Sequence, residues 1–201
     1  VWNHVAISIN SLSATFYLNG VANGTHTFTG SFAHANEANI GKYGSAYANG
    51  NIADVRVYDA ALSAANIQVL ASKINGDSSL GAGTTNLKGW WKLTNGDLTD
   101  SSTNSNALTA SGSPAQDYDA YSVDVYDNST TTDGTFTVTQ GKVECLSLST
   151  LSLDGTGDYV VVNDFDLYDS ATQGSFSCWV RPDTVSGNQY IATKYDTSGG
   201  G

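Results

Sequence analysis

Short stretches of alternating apolar and polar residues, separated by turn residues, recur along nearly the whole chain. Near the start, Val5, Ile7 and Ile9 fall on one face of a strand. Asn19-Gly20 then lies between two such stretches, which is a strong signal for a two-residue β-hairpin. This succession predicts an all-β protein of the sandwich or barrel type.

Most of the predicted strands are bounded by Gly, Asn, Asp or Pro. The interval 118–126 is predicted as an edge strand or an ordered loop, and 95–113 as a long polar loop. The predicted strands cover 2–9, 14–18, 21–29, 39–43, 52–58, 87–93, 135–139, 143–153, 159–162, 175–181 and 190–195.

One interval has helical instead of strand spacing. Ile67, Leu70 and Ile74 lie on one face of a helix. The hydroxyl of Ser63 can accept the unpaired N–H groups of the first turn. One short helix is therefore predicted near residues 63–74.

Composition narrows the class of protein. The chain has 201 residues, enough for one large sandwich or two small domains, and 40% hydrophobic residues, enough for a buried core. Its 19 acidic and 8 basic residues give a net charge of -11, which argues against nucleic acid and anionic membranes as partners. No apolar run reaches membrane-spanning length, so no membrane insertion is predicted.

The ends and the cysteines also carry information. The chain contains no Met, opens inside a predicted strand and closes on Gly199-Gly200-Gly201, so we expect a piece of a longer protein. Cys145 and Cys178 both lie in apolar, strand-like stretches. Two buried free thiols are favoured over one disulfide, which stays an alternative.

Residues 1–74 resemble the C-terminal half of a laminin-G-like domain of the concanavalin-A-like superfamily, through WNHVAISI, TFYLNGV, ANIGKY and GNIADVRVYDAALSAANIQVL. Residues 87–196 resemble the N-terminal half, through LKGWWKL, TDSSTNSN, LSLDGTGDYVVV, GSFSCWVRPD and YIATKYD. The resemblance implies an antiparallel jelly-roll β-sandwich. Family members carry roughly two further strands between the YIATKYD-like and WNHVAI-like segments, and these are absent here.

The two halves stand in reverse order, and three arrangements account for that. The interpretation we favour is a tandem array, with 1–75 as the end of one sandwich, 76–86 as a Gly/Ser linker and 87–201 as the start of a second sandwich. The alternatives are a circular permutation, in which the halves close on each other, and strand exchange between neighbouring molecules in a fibre. One closed sandwich within a single chain would overturn the tandem interpretation.

Catalytic signals are sparse, and we predict that the protein is not an enzyme. The three histidines, His4, His26 and His34, all lie in the first half of the chain. No nucleophile elbow, zinc-ligand spacing or phosphate-binding loop is present.

The resemblance implies a structural Ca²⁺ ion, with Asp54, Asp154 and Asp158 as the candidate ligands, because Ca²⁺ prefers carboxylate and carbonyl oxygens. Each aspartate also has a purely structural explanation. Asp154 can shape a tight turn by bonding its own backbone, and Asp54 can pair with Arg56.

A sugar site is the main organic hypothesis, since aromatic faces stack on sugar rings and polar groups bond the hydroxyls. Trp90 and Trp91 are consecutive on a strand and point to opposite faces, so one is expected in the core and the other is a candidate for exposure. The candidate carbohydrate-binding residues are Trp90, Trp91, Tyr43, Tyr47 and Tyr121. Asn23 and Asn128 fit the pattern for N-glycosylation.

Three functions compete. The first is adhesion or carbohydrate recognition in a tandem laminin-G-like array, with glycans or surface glycoproteins as partners. The second is a structural repeat of an extracellular fibre or a virion appendage, with copies of the chain as partners through strand pairing. The third is a non-catalytic accessory module of a secreted hydrolase. All three predict an extracellular, cell-surface or virion-surface location.

Overall fold

A computed structural model describes residues 1–29, 38–72, 74, 85–119, 148–162 and 172–194. The strands are β1 (Asn3–Asn10), β2 (Ser13–Leu18), β3 (Val21–Thr27), β4 (Ala38–Ile40), β5 (Lys42–Tyr43), β6 (Ala46–Tyr47), β7 (Asn49–Tyr58), β8 (Leu87–Trp91), β9 (Leu108–Ser111), β10 (Ala115–Asp119), β11 (Leu148–Asp154), β12 (Tyr159–Val162), β13 (Gln173–Pro182) and β14 (Ala192–Lys194). The helix α1 spans Ala64–Leu70.

The strands form two antiparallel sheets that pack face to face. The larger sheet has the order β10-β11-β7-β13-β1-β2-β3, with β8 also paired to β7. The smaller sheet has the order β14-β4-β12-β9, and β5 and β6 form a separate two-stranded hairpin. The all-β, antiparallel sandwich prediction is confirmed, as is the short helix.

The hairpin predicted at Asn19-Gly20 joins β1's neighbour β2 to β3. Asn19 has φ 50° and Gly20 has φ 79°, the left-handed backbone that a two-residue hairpin turn requires. On the other side of β2, Ile7 of β1 lies opposite Phe16. The period-2 pattern therefore sets the register of this end of the sheet.

An apolar core lies between the two sheets, and both sheets contribute to it. Alternate positions of β11 and β12 point into it, as period-2 side-chain alternation requires. Its buried members are Ile40, Ala48, Ile52, Val55, Val57, Trp91, Leu93, Leu108, Leu151, Leu153, Val160, Val162 and Cys178.

A second cluster covers the other face of the larger sheet, where α1 packs. The hydroxyl oxygen of Ser63 accepts the backbone N–H of Asn66 at 3.2 Å and caps the helix. Ile67 and Leu70 are the buried helix residues. The helix ends at Leu70, four residues before the predicted Ile74. Just after this end, the hydroxyl of Ser72 donates to the carbonyl of Val69 at 2.7 Å. The cluster comprises Ala6, Tyr17, Tyr58, Leu62, Ile67, Leu70, Leu87 and Trp90.

The two segments that resemble opposite halves of the family share this larger sheet. Strand β13, from the second segment, lies between β1 and β7 of the first. It pairs with β1 from Asn3↔Val180 to Asn10↔Gln173, and with β7 from Ser175↔Tyr58 to Pro182↔Gly50.

Within this chain the halves therefore close on each other, so the interpretation that they belong to two different sandwiches is wrong for the chain itself. The physical reason is that each half alone would leave long unpaired edges, which the other half pairs. This is the arrangement that the circular-permutation alternative describes. The segment boundaries at 75/76 and 86/87 stay a prediction, because most of 76–86 lies outside the described residues.

A bulge in β7 changes which of its side chains face the inter-sheet core and which face the helix side. The register with β13 shifts between Ser177 and Trp179, and Asp54 has φ 51°. As a result Ile52 and Val55, three positions apart, both belong to the inter-sheet core. Asp54 then faces the helix side of the sheet.

The interval predicted as a polar loop is shorter and more ordered than expected. Strand β9 lies in it, pairing Leu108 with Val162 of β12. The alternation was too weak to reveal β9, because only Leu108 of its four residues is buried. Before β9, the Asp100 carboxylate holds the loop in place. It accepts hydrogen bonds from the backbone N–H groups of Trp90, Ser102 and Asn106 at 2.8–2.9 Å.

Cys178 is a free thiol in the inter-sheet core. Burial raises its pKa well above the usual range, since a thiolate has no solvent there. Cys145 lies outside the described residues, so the pairing of the two cysteines stays a prediction.

Candidate functional site

The two adjacent tryptophans do not form a ligand-binding surface. Trp90 is 5% exposed and Trp91 is 1% exposed. They point to opposite faces as expected, but both faces of the larger sheet are covered, one by the smaller sheet and one by α1. The prediction that one of them stacks on a sugar is wrong, because neither ring face reaches solvent.

Asp54 is committed to an internal ion pair. Its Oδ1 accepts from Arg56 Nε at 2.9 Å and from Trp90 Nε1 at 2.7 Å, and both charged residues are almost fully buried. The structural alternative, pairing with Arg56, is confirmed. The ion pair argues against calcium at Asp54, since removing the carboxylate from this pair would leave the guanidinium buried without its counter-ion.

The other two aspartates flank the β11–β12 turn. Oδ1 of Asp154 accepts the backbone N–H of Thr156 at 2.6 Å, which is the turn-shaping bond expected of it. Asp158 is buried, and its Oδ1 accepts the backbone N–H of Ser113 at 2.6 Å. Among the described residues, no three His, Cys, Asp or Glu side chains come together as a metal-binding group. Calcium at Asp154 or Asp158 stays a prediction.

Tyr43 and Tyr47 lie on the β5–β6 hairpin, on opposite sides of it. Lys42 pairs with Tyr47 and Tyr43 with Ala46, and successive strand residues point to opposite sides. Tyr43 is 48% exposed, and its ring centroid lies 5.0 Å from that of Tyr190 at a tilt of 32°. The pair Tyr43–Tyr190 is called the tyrosine platform below.

On the opposite side of the hairpin, the ammonium group of Lys42 covers an aromatic ring. Lys42 Nζ lies 4.0 Å from the ring centroid of Tyr159, whose ring is also 6.2 Å from that of Tyr47. An ammonium over the ring occupies the face that a sugar would need. The tyrosine platform is therefore the more accessible of the two aromatic pairs.

A hollow of about 470 Å³, called the loop hollow below, adjoins the platform and shares Tyr190 with it. This volume is within the range of small-molecule sites. It lies between the start of β7, the end of β13 and the loop that follows β13. Its lining residues are Ala48, Asn49, Gly50, Asn51, Ile52, Val180, Pro182, Thr184, Val185, Gly187, Asn188, Gln189, Tyr190 and Ile191.

Hydrogen bonds fix part of the polar lining. Gln189 Oε1 accepts the backbone N–H of Asn49 at 2.9 Å, so the carboxamide has a defined orientation. Asn188 Nδ2 donates to the Tyr190 hydroxyl at 3.4 Å. Gly50 admits the close approach of β13, because a Cβ there would collide with the backbone of Arg181 and Pro182.

Comparison with known proteins bears on the first segment. Residues 1–68 match a laminin G family model, described as the concanavalin A-like lectin/glucanases superfamily. For this similarity, residues 1–68 are called the laminin-G-like segment below. No curated protein and no solved structure matches the chain. The resemblance inferred for the first half is confirmed, and that of 87–196 rests on its own motifs.

The laminin-G-like segment supports a carbohydrate-binding or adhesion-type module in general. Laminin-G-like domains are generally non-catalytic and typically extracellular. The described part of the chain has no helix with the length and apolarity needed to cross a membrane.

Two candidates from the sequence remain to be placed. Asn23 of the laminin-G-like segment lies on the exposed strand β3, where its side chain is accessible. Its modification stays a prediction. Tyr121, Asn128 and His34 lie outside the described residues.

Sequence reasoning missed Tyr190, Asn188 and Gln189. Tyr190 was assigned to a strand, whereas β14 begins two residues later. The stretch Ser186-Gly187-Asn188-Gln189 is a polar turn cluster directly before an aromatic residue, and that pattern was the available signal. Its meaning depends on Tyr43, which is far away in sequence.

Proposed function

We propose that the protein is an extracellular carbohydrate-binding module whose ligand stacks on the tyrosine platform and extends into the loop hollow. The observation that carries the proposal is the exposed Tyr43 ring, whose centroid lies 5.0 Å from that of Tyr190, a lining residue of the hollow of about 470 Å³. The laminin-G-like segment supports the same class of function.

An aromatic platform suits a sugar because the C–H face of a pyranose is apolar while its rim is polar. Tyr43 is 48% exposed and therefore offers a ring face to solvent. Tyr190 packs beside it, which limits the rotamers of both rings before a ligand arrives. Such pre-organisation reduces the entropy that binding costs.

The loop hollow supplies groups for the hydroxyls. Carboxamides can donate and accept at once, which matches sugar hydroxyls that do the same. Asn188 and Gln189 lie beside the platform, on the loop between β13 and β14. Loops on a rigid sandwich are the usual place for binding residues.

The test is affinity for a ligand found by glycan-array screening, compared between Tyr43→Ala and Tyr47→Ala. The first substitution removes the platform, and the second removes the same kind of side chain from the other side of the same hairpin. We expect Tyr43→Ala to weaken binding about tenfold, or ~1.4 kcal/mol. Tyr47→Ala should change the affinity by less than about twofold.

Melting temperatures of both variants show whether the hairpin is intact. Equal losses of affinity in the two variants, with folding unchanged, would contradict the proposed site. Absence of binding to every glycan tested would contradict the proposed function. Strand pairing between copies in a fibre and an accessory role beside a hydrolase stay predictions.

A further inference from the structure

The side chains that line the loop hollow are uncharged. Among the described residues that form it, four are carboxamide side chains, one is a hydroxyl and one is a phenol, and none is Asp, Glu, Lys or Arg. The polar lining residues are Asn49, Asn51, Thr184, Asn188, Gln189 and Tyr190.

Two charged residues lie next to this lining, and they have opposite signs. Arg181 donates from Nη2 to Asn51 Oδ1 at 3.0 Å, so it binds a wall of the hollow instead of lining it. Asp183 is exposed, and its backbone N–H donates to the carbonyl of Asn49 at 3.2 Å. Both charged residues therefore lie next to the lining of the hollow, and neither forms part of it.

Resting on the proposed function, we propose that the ligand of the loop hollow is a neutral glycan, and that uronate, sulfated and sialylated glycans are excluded. An anionic group placed in the hollow would lose water without gaining a lining cation. The protein's net charge of -11 would also repel an anionic polysaccharide on approach.

Gln189 is the residue that gives the hollow its preference. Its oxygen is already bonded to the backbone N–H of Asn49, and its side-chain NH₂ has no partner among the described residues. That NH₂ is a donor fixed in place for a hydroxyl oxygen of the ligand. A neutral donor of this kind discriminates by geometry, not by charge.

The test measures the binding of a panel of neutral polysaccharides and a panel of acidic ones, each at about 50 mM and about 500 mM NaCl. We expect binding only in the neutral panel, and an affinity that changes by less than about twofold with salt, because no charge pair is screened. Tyr43→Ala should abolish or weaken that binding, which ties it to the proposed site.

Two variants of opposite charge at one exposed position give a second test of the ligand's charge. Val185 is 89% exposed on the lining of the hollow, so Val185→Lys and Val185→Glu change the local charge without disturbing a core. A neutral ligand should bind both variants with affinities within about twofold of each other. An anionic ligand would bind the Lys variant more tightly and the Glu variant more weakly.

The outcomes separate the two proposals. Binding of an acidic glycan that is lost in Tyr43→Ala, or opposite shifts in the two Val185 variants, overturns the neutral-ligand inference and leaves the binding site standing. Binding of no glycan in either panel, or binding that Tyr43→Ala leaves unchanged, overturns the proposed site and this inference with it.

Discussion

Around β7, the two faces of the larger sheet are both buried, but they differ in chemistry. The face toward the smaller sheet is apolar, with Ile52, Val55 and Leu153 in its core. The face toward α1 buries the ion pair of Arg56 and Asp54, which are 1% and 4% exposed. One strand, β7, supplies both faces.

The difference shows what each face depends on. The apolar face is stabilised by the area removed from water and by close packing. The helix side depends on partners: Arg56 lies 4.4 Å from the ring centroid of Trp90, whose Nε1 donates to Asp54. Trp90 thus contacts both members of the ion pair, and its buried ring is not available to a sugar.

On the helix side, some buried polar atoms in the described part of the chain also lack hydrogen-bond partners. His4 Nδ1 and Trp179 Nε1 are buried without a hydrogen-bond partner among the described residues. Their rings lie 5.5 Å apart, edge to face. A buried polar group without a partner costs free energy of folding, so this face should be the more sensitive to changes of charge.

The largest expected effect comes from Arg56→Met. The substitution leaves the carboxylate of Asp54 buried without its cation, and we expect a loss of about 3–5 kcal/mol in the free energy of unfolding. Denaturant unfolding monitored by tryptophan fluorescence measures it.

The matched control is the partly exposed ion pair Lys88–Asp59, with 2.9 Å between Nζ and Oδ2. Lys88→Met should cost less than about 1 kcal/mol, because solvent screens this pair. Similar losses in the Arg56 and Lys88 variants would show that burial is not what makes the first pair important.

On the apolar face, Leu153→Ala is the comparable change. Leu153 is 1% exposed, and truncation should cost about 2–5 kcal/mol through lost burial and the cavity left behind. Val69→Ala on the exposed side of α1, where the side chain is 41% exposed, is the control and should change stability by less than about 0.5 kcal/mol.

The Leu153→Ala loss should also be the same at pH 5 and pH 7, since no titrating group is removed. A loss that grows as the pH falls would mean that the two faces of the sheet are energetically coupled.

The smallest expected effect is the pH dependence contributed by His4. Burial lowers its pKa from 6.5 to about 4; the positive charge of Arg56 acts in the same direction, and Asp54 opposes it. Between these two values the unfolded chain binds a proton that the folded chain does not, so stability is fully present above the unfolded pKa and falls as the pH drops toward the folded one.

The loss between pH 7 and pH 4 should be on the order of 3 kcal/mol or less. His4→Gln, which lacks the titrating group, should flatten the curve of unfolding free energy against pH, while His26→Gln on the exposed strand β3 is the control for losing an imidazole. An unchanged slope in His4→Gln would show that other groups set the acid sensitivity.

Local pattern was enough for most of the elements. The turn at Asn19-Gly20 and the cap at Ser63 each depend on neighbours in sequence, and both are present in the structure. Strand β9 was missed, because its pairing with β12 is decided by a partner about fifty residues away.

The candidate site was predictable only in part. Tyr43 and Tyr47 were singled out by residue type, but nothing local shows that a cation covers the Tyr47–Tyr159 side while Tyr190 leaves Tyr43 accessible. Trp90 and Trp91 have the residue type and the alternation expected of a sugar-binding strand. The prediction was wrong because exposure depends on what covers each face of the sheet.

The sequence by itself determined the class of fold, the hairpin at Asn19-Gly20, the helix start and the similarity of residues 1–68 to the laminin G family. These follow from interactions between near neighbours, which the order of residues specifies directly. Only the tertiary structure decided that β13 lies between β1 and β7, that both tryptophans are buried, and that Tyr43 meets Tyr190. Such pairings join residues more than a hundred positions apart, and they are selected by the burial of two faces and the pairing of open edges, which no local pattern encodes.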